Sequence, residues 1–178
     1  MHIIFLNTKS GVGKSTLCKY SYHELTRLGC LVETHNTEQQ CHLSQTERMD
    51  ETDFILYDTT GAFTDDNIDL LHAAAELDDV VIVVPITTGH NQVEELDFMI
   101  SSLNELKLLD KTRFVLSKVC PNTSSVVRRK MELQLRDVNI MKWSFPLLED
   151  FSNQRHTSRT RNEVSQFLKE IVSNESYQ

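Results

Sequence analysis

The feature that most constrains the fold is a segment rich in glycine and lysine, residues 8–16, which reads T-K-S-G-V-G-K-S-T. It follows the apolar run Ile3–Leu6 and precedes a helical pattern near residues 15–28. A short apolar run without alternation is typical of a strand that is buried on both faces. Glycines after such a strand let the backbone turn sharply and direct its N–H groups toward an anion. The order strand, glycine loop, helix therefore predicts an α/β fold with a phosphate-binding loop.

The residue types in this loop suit the phosphates of a nucleotide. The N-terminus of the following helix adds a partial positive charge. Lys14 is predicted to bridge β- and γ-phosphate oxygens, and the hydroxyl of Ser15 is predicted to ligate Mg²⁺. The predicted nucleotide contacts are Ser10, Gly11, Val12, Gly13, Lys14, Ser15 and Thr16. The alternative is a glycine turn with incidental lysines.

Apolar runs and helical stretches alternate along the rest of the chain. The predicted strands are Ile3–Leu6, Cys30–Thr34, Phe54–Tyr57, Val80–Val84, Arg113–Leu116 and Val138–Lys142. The predicted helices lie near residues 15–28, 67–77, 91–108, 124–136 and 162–173. This alternation predicts a doubly wound, mostly parallel sheet flanked by helices. With 178 residues and no repeat or linker, the chain is expected to form a single domain over residues 1–178.

The loop departs from the common pattern G-x-x-x-x-G-K-[ST], because Thr8 stands at the first glycine position. Its K-S-G-V-G-K-S-T resembles the deviant Walker A motif, K-G-G-x-G-K-[ST], of the ParA/MinD family of P-loop ATPases, with Ser10 for the usual glycine. This resemblance implies ATP and Mg²⁺ as cofactors and ATP hydrolysis as the activity. It also implies that Lys9 reaches across a nucleotide-sandwich dimer to the partner's phosphates, so that Lys9 and Lys14 are both catalytic.

A second chemical element is the acid that ends the apolar run Phe54–Tyr57, Asp58. An ATPase of this kind needs such an acid to hold the metal through water, so Asp58 is predicted as a catalytic and metal-site residue. The sequence Asp58-Thr59-Thr60-Gly61 resembles the family's D-T-P-x-G switch, with threonine in place of proline. A loop of this kind, followed by a helix, would couple hydrolysis to shape. The alternative is that Asp58 is an ordinary turn residue.

The segment after the second strand matches the family less well. The family has D-x-D-P-Q there, and the best match in this chain is Asn36-Thr37-Glu38-Gln39-Gln40. Glu38 would stand in for the second aspartate as a catalytic residue, and Asn36 for the first. An amide orients water but cannot accept its proton. Slow hydrolysis, an alignment shifted by a residue or two, and a plain surface loop all remain open.

The identity of the base is argued from Ser117-Lys118-Val119-Cys120, which follows the fifth strand. GTPases read guanine with an aspartate in N-K-x-D or T-K-x-D at this place, and this segment has no acid, so ATP is favoured. The same segment resembles the family's N-R-V, whose polar residue contacts adenine. Ser117 and Lys118 are therefore predicted base contacts.

The charge is unevenly distributed along the chain, although the net charge is −8. Between residues 111 and 161 there are 11 Lys and Arg against 4 Asp and Glu. Such polarity is an electrostatic footprint for a polyanion, and a solvated face is the alternative. In the ParA family, basic residues of the C-terminal helices bind DNA through its phosphates. The predicted DNA contacts are Arg128, Arg129, Lys130, Arg155, Arg159 and Arg161.

The resemblance implies a ParA-like ATPase that acts as an ATP-dependent dimerisation switch in the partitioning or positioning of plasmid or chromosomal DNA. Because the chain starts with its first strand, we expect no N-terminal helix-turn-helix extension. The expected partners are a second copy with ATP, non-specific DNA and a separately encoded site-specific DNA-binding adaptor protein. We expect a cytoplasmic location, associated with the nucleoid if DNA is bound.

Three alternatives remain open. One is a ParA-like protein of conjugative transfer, and another is a small-molecule synthetase of the dethiobiotin-synthetase type, which needs no additional lysine. The third is a MinD-like membrane positioner. The last predicted helix has one apolar stripe, formed by Val164, Phe167, Leu168, Ile171 and Val172. Its polar face is mainly acidic, which favours a helix docked on the sheet over one on an anionic membrane.

Overall fold

A computed structural model describes residues 1–36, 52–60, 63–89, 93–120 and 123–173. The strands are β1 (His2–Phe5), β2 (Val32–Asn36), β3 (Phe54–Asp58), β4 (Val80–Ile86), β5 (Thr112–Val119) and β6 (Phe145–Pro146). The α-helices are α1 (Lys14–Arg27), α2 (Asp65–Ala75), α3 (Val93–Glu105), α4 (Ser124–Gln134), α5 (Glu149–Ser152) and α6 (Ser158–Val172), and a 3₁₀ turn covers Leu109–Lys111. The strands form one six-stranded sheet in the order β2-β3-β1-β4-β5-β6, and all neighbouring pairs are parallel. The predicted doubly wound α/β architecture is confirmed.

The two innermost strands, β1 and β4, are buried along their whole length and are apolar except for His2. Helices on both faces of the sheet explain this pattern, because a central parallel strand has no solvent-facing side. Helices α2, α3 and α4 cover one face, and α1, α5 and α6 cover the other. None of the helices in the described part of the chain is long and apolar enough to cross a membrane.

The last strand differs from its predicted position. Only Ile140 of the predicted run Val138–Lys142 pairs with β5, by an isolated bridge to Phe114. The backbone N–H groups of Lys142 and Trp143 are bound instead by the carboxylate of Glu170 on α6. The chain pairs again at Phe145–Pro146, a short edge strand where a proline is tolerated.

The predicted docking of α6 on the sheet is confirmed. Val164, Phe167, Leu168 and Ile171 are buried, whereas Val172 is 55% exposed. The helix begins after Thr157, whose side chain accepts a hydrogen bond from the backbone of Thr160, and the Thr160 side chain returns the bond in a capping box.

The strand order reverses at β1, because the chain passes to β2 on one side and later to β4 on the other. In open parallel sheets, ligands bind outside the carboxyl ends of the strands at such a reversal. The loop between Phe5 and α1 lies at this point. Phe5 and Asn36 both pair in register with Asp58, so three strand ends meet beside the loop.

Candidate phosphate-binding site

Two glycines shape the loop at the end of β1. Gly11 has φ +76° and Gly13 has φ +104°, a region that residues with a Cβ rarely adopt. Gly13 is also the N-cap of α1, and a Cβ there would lie 3.0 Å from Ser117 Oγ and 3.1 Å from Phe145 Cε1. The backbone therefore turns at a position that no side chain can share. This tight turn opens directly into the positive end of a 14-residue helix.

Two buried side chains hold the loop in place. The hydroxyl of Ser117, on β5, donates a hydrogen bond to the carbonyl of Val12. The side chain of Asn7 donates to the carbonyl of Pro85 on β4 (2.7 Å) and accepts from the backbone N–H of Lys9 (2.7 Å). The loop is thus anchored to both strands beyond β1. Sequence reasoning missed Asn7, although a polar residue directly after a buried strand was the available signal.

The two predicted base contacts, Ser117 and Lys118, are placed differently. The Ser117 side chain is fully buried, and its hydroxyl is bonded to the loop carbonyl. Lys118, the next residue, is exposed and has φ +55°, and it lines a cavity of about 240 Å³ beside the start of α1. The register of β5 against β6 shifts between Ser117 and Val119, so Lys118 stands outside the regular pairing and its side chain reaches solvent.

This cavity is the space available for a nucleoside next to the loop. Its lining residues are Ser15, Thr16, Lys19, Tyr20, Lys118, Phe145, Pro146, Leu147, Leu148, Phe151, Ser152 and Gln154. Its apolar walls come from the segment F-P-L-L, residues 145–148, together with Phe151. A concave site that combines apolar walls with a few polar groups is the usual form of a small-ligand site.

Lys14 lies at the centre of the site. Its side chain is buried, and its Nζ donates to the carbonyl of Lys9 at 3.2 Å. Burial lowers the pKa of the Lys14 ammonium, and the negative charge of Asp58 offsets part of this effect. The buried Lys14 ammonium has lost most of its hydration and is bound to one loop carbonyl. An anionic ligand would stabilise it by direct hydrogen bonds.

Asp58 ends β3 beside the loop and is half-buried. Its charge reaches into the site, because it raises the pKa of Lys14 and adds to the effect of burial in raising the pKa of the Cys18 thiol. Ser15 is exposed in the first turn of α1. A carboxylate and a hydroxyl beside a phosphate cradle are oxygen donors of the kind that Mg²⁺ prefers, so these residues fit that ion.

The residues after Asp58 connect the site to α2. Thr59 is buried and donates from its hydroxyl to the carbonyl of Phe5 at 2.7 Å. Thr60 accepts a hydrogen bond from the side-chain amide of Asn67, in the first turn of α2, at 2.9 Å. Gly61 lies outside the described residues. A displacement of Thr60 would therefore change its hydrogen bond to Asn67 and act directly on α2.

Lys9 is placed differently from Lys14. Its side chain is 42% exposed, and its Nζ lies 4.0 Å from Glu95 Oε2 on α3. A half-exposed pair at this distance is worth only ~0.2–1 kcal/mol. The Lys9 side chain is therefore loosely held on the surface beside the loop.

Asn36 is the exposed last residue of β2 and pairs in register with Asp58, so it lies at the same sheet edge as the loop. Glu38, the other residue predicted from this segment, lies outside the described residues.

The predicted DNA contacts do not form one surface. Arg128, Arg129 and Lys130 belong to α4, whereas Arg155, Arg159 and Arg161 precede or begin α6 on the opposite face of the sheet.

The α4 group is also partly withdrawn from solvent. Arg129 is 5% exposed and donates to Glu132 Oε2 at 2.7 Å and to the carbonyl of Gly89 at 2.8 Å, so its guanidinium is held within the fold. Lys130 donates to the carbonyl of Lys142 at 2.6 Å, and burial lowers its pKa. The basic residues are close together in the sequence, but they are not close together in the fold.

Solved structures share this architecture over nearly the whole chain. A protein assigned to plasmid partition from Borrelia burgdorferi B31, bound to AMPPNP, matches with a TM-score of 0.68 and 14% identity, covering 96% of this chain and 98% of that one. MinD cell division protein of Aquifex aeolicus matches with a TM-score of 0.61 and 14% identity, covering 99% and 98%. The chain has the P-loop fold of the ParA/MinD-type ATPases.

The same fold includes a biosynthetic enzyme. Cobyrinic acid a,c-diamide synthase of Mycobacterium smegmatis, with bound ATP analog and magnesium, matches with a TM-score of 0.65 and 12% identity over 99% of both chains. No protein-family model matches the sequence, and no curated protein matches it at a significant level. At these identities the likeness describes the ParA/MinD-type fold, and function has to be argued from the site.

Proposed function

We propose that this chain is a ParA-like ATPase, an ATP- and Mg²⁺-dependent dimerisation switch that acts in the partitioning or positioning of DNA. The observation that carries the proposal is the pair of lysines on one loop, Lys14 buried in the turn and Lys9 exposed beside it. A site that only binds phosphate within one chain has use for Lys14 and none for Lys9. An exposed second lysine is suited to a phosphate held by another copy.

The residues of one copy bind and orient the triphosphate. The N–H groups of residues 10–16 face the phosphates, and Lys14 exchanges the Lys9 carbonyl for phosphate oxygens. Ser15 and Asp58 would hold Mg²⁺, which would supply positive charge beside the phosphates. Lys118 and the apolar segment 145–148 hold the base.

Dimer formation depends on Lys9 leaving its own surface. The ion pair with Glu95 is long and half-exposed, so little free energy opposes this movement. In the dimer the Lys9 ammonium would contact the partner's phosphates, which adds binding energy only when the triphosphate is present. Loss of the γ-phosphate would also release Thr60, and its hydrogen bond to Asn67 would pass the change to α2.

The decisive test compares three lysine variants by light scattering and by phosphate release. Lys14→Ala should lose nucleotide binding. Lys9→Ala should still bind ATP but remain monomeric and lose hydrolysis. Lys169→Ala removes an exposed lysine of α6 and should behave like the parent chain. Normal hydrolysis and dimerisation in Lys9→Ala would overturn the proposal.

DNA and an adaptor protein are the proposed partners, with a cytoplasmic, nucleoid-associated location. The exposed Arg155, Arg159 and Arg161 support a phosphate-binding surface near the start of α6. Binding to random duplex should weaken steeply with salt, with a slope set by the number of phosphates neutralised. Arg155→Ala/Arg161→Ala should flatten this slope, whereas Arg113→Ala, a matched arginine on β5, should not. A flat slope in the parent chain would remove DNA from the proposal.

A small-molecule synthetase is the rival activity, and conjugative transfer is the rival context. A synthetase needs a substrate cleft beside the phosphates, but the cavity bordered by Thr8, Lys9, Glu95 and Met99 is about 10 Å³, roughly one water. ATP turnover that requires a diffusible acceptor would favour the synthetase. Asn36 at the sheet edge supports slow hydrolysis, because an amide cannot take a proton from water.

A further inference from the structure

A second cavity lies between α1 and the start of α6, and neither the phosphate loop nor the base cleft accounts for it. Its volume is about 320 Å³, and its lining residues are Tyr20, His23, Glu24, Arg27, His156, Thr160, Arg161 and Val164. His23 is nine residues along α1 from Lys14, which corresponds to roughly 14 Å of helix. The cavity is therefore separate from the phosphate loop.

Two histidines meet at this cavity. The rings of His23 and His156 are edge to face, with centroids 4.5 Å apart, and His156 also lies 4.7 Å from the ring of Tyr20. Burial, followed by the charges of His156 and Lys19, lowers the pKa of His23. A positive charge beside His23 disfavours its charged form, and an anion bound next to the ring would favour it.

The one carboxylate in the lining is already neutralised. Glu24 binds Arg27 through both oxygens, at 2.7 and 2.9 Å, and accepts a hydrogen bond from Ser165 at 2.6 Å. Arg161, by contrast, donates from Nε to the carbonyl of Thr157 at 3.3 Å, a bond to its own helix, and its charge has the smallest of the named effects on Glu24. Arg161 is therefore the cation that remains for a ligand.

The surroundings increase the positive charge. The titratable and charged groups around the histidines are Lys19, Tyr20, Tyr22, Glu24 and Arg27 of α1, Asp150 of α5, Arg155 of the connecting loop and Arg161 of α6. The four cations of this set exceed its two carboxylates. Lys19 donates to Gln154 at 2.6 Å, and Asp150 accepts from Thr157 at 3.0 Å. An anion would thus enter a positive cavity before either histidine is protonated.

We propose that this cavity binds a phosphate group between Arg161, His23 and His156. Three donors from a helix, a second helix and the loop between α5 and α6 approach from different directions, which suits a tetrahedral oxyanion better than a planar carboxylate. The hydroxyls of Tyr20 and Thr160 are bonded to backbone carbonyls and do not take part. The site does not depend on the proposed ATPase function.

Proton uptake sets the pH dependence. In the free protein the pKa of His23 is below its ordinary value, and a bound dianion raises it. Affinity for the anion should therefore increase as the pH falls through this window, by up to about tenfold per pH unit for each proton taken up. Above the pKa of His23 in the complex, His23 is neutral and binding should be weaker.

The test follows the histidine ring protons by NMR while sulfate is added, because sulfate stays a dianion throughout the window. Sulfate should raise the pKa of His23 and shift the ring signals of His23 and His156, whereas the ring signals of exposed His72 on α2 should not move. Arg161→Ala and His23→Gln should weaken binding about tenfold or more, whereas His72→Gln should not. An equal response of His72, or no response of His23 and His156, would overturn the proposal.

Two further arms identify the source of the phosphate group. Random duplex DNA that displaces sulfate and shifts both histidines would assign the site to a phosphodiester backbone. Inorganic phosphate that does so while duplex does not would assign it to a free phosphate. Displacement of sulfate by neither probe would contradict the proposal, since both carry the chemistry for which the cavity is assigned.

Discussion

The hydroxyl of Ser117 holds the carbonyl of Val12, so β5 supports the phosphate loop that follows β1. A Cβ atom at Gly13 would lie only 3.0 Å from the same hydroxyl oxygen, so Ser117 leaves no room for a side chain there. Ser117 in turn pairs in register with Phe145 of the edge strand. The phosphate loop, β5 and β6 are thus packed together. A substitution in one of them should therefore affect nucleotide binding through the other two.

Replacing Ser117 with alanine should weaken nucleotide binding without changing base preference. The buried Val12 carbonyl would lose its partner, at a cost of about 1–3 kcal/mol that is shared between loop order and stability. Titration with fluorescent ATP and GTP analogues should show affinities reduced about five- to tenfold for both. Ser101→Ala, an exposed serine of α3, is the control. A change in the ATP to GTP ratio alone would show that Ser117 contacts the base.

Replacing Gly13 with alanine should abolish nucleotide binding. The new Cβ would meet Ser117 Oγ and Phe145 Cε1, and φ +104° is strained for any L residue. Gly29→Ala is a matched control, because Gly29 has φ +90° but nothing within 4 Å. Both variants should lose about 1–2 kcal/mol in chemical denaturation from backbone strain. Only Gly13→Ala should lose nucleotide affinity, and equal losses in both variants would contradict the steric explanation.

Replacing Asp58 with asparagine should separate its effect on the metal from its effect on Lys14. Phosphate release with Mg²⁺ should fall by about 10–100-fold, as for other residues that act on a metal through water. Without Mg²⁺, nucleotide affinity should fall as the pH rises through the pKa of Lys14, because only the ammonium binds phosphate. Since Asp58 raises that pKa, the fall should begin at a lower pH in the variant. Identical pH profiles would show that the two groups do not interact.

Replacing Glu24 with glutamine should make stability less dependent on pH. Its hydrogen bond to Arg27 lowers the pKa of the Glu24 carboxyl, with a smaller contribution from Ser165. A carboxyl whose pKa is lower in the folded state than in the unfolded state stabilises the fold at pH values above its unfolded-state pKa. This stabilisation is lost as the pH falls through the folded-state pKa. At pH 7 the variant should unfold with about 1 kcal/mol less free energy. Thermal melts should converge at acidic pH, and Glu105→Gln, on an exposed glutamate, should match the parent throughout.

Local patterns were sufficient for most of the fold. Apolar runs predicted β1 to β5, and helical periodicity predicted α1 and the buried stripe of α6, because burial imposes these periods on any sheet covered by helices. The loop was readable for a similar reason. Gly11 and Gly13 are needed for their backbone conformation, and Lys14 for its positive charge. These properties belong to the residue types themselves and can be read from the sequence without knowing the tertiary contacts.

Contacts between distant segments were not readable in this way. Ser117 and Arg129 carry polar groups that suit a ligand, and their burial depends on Val12 and Gly89, 105 and 40 residues away. The edge strand moved to Phe145–Pro146 because Glu170, on a later helix, takes the N–H groups of Lys142 and Trp143. The cavity of His23 and His156 likewise exists only where α1 and α6 pack together. The residue type determines which groups a side chain can bind. The packing of the fold determines whether its partner is a ligand or another part of the chain.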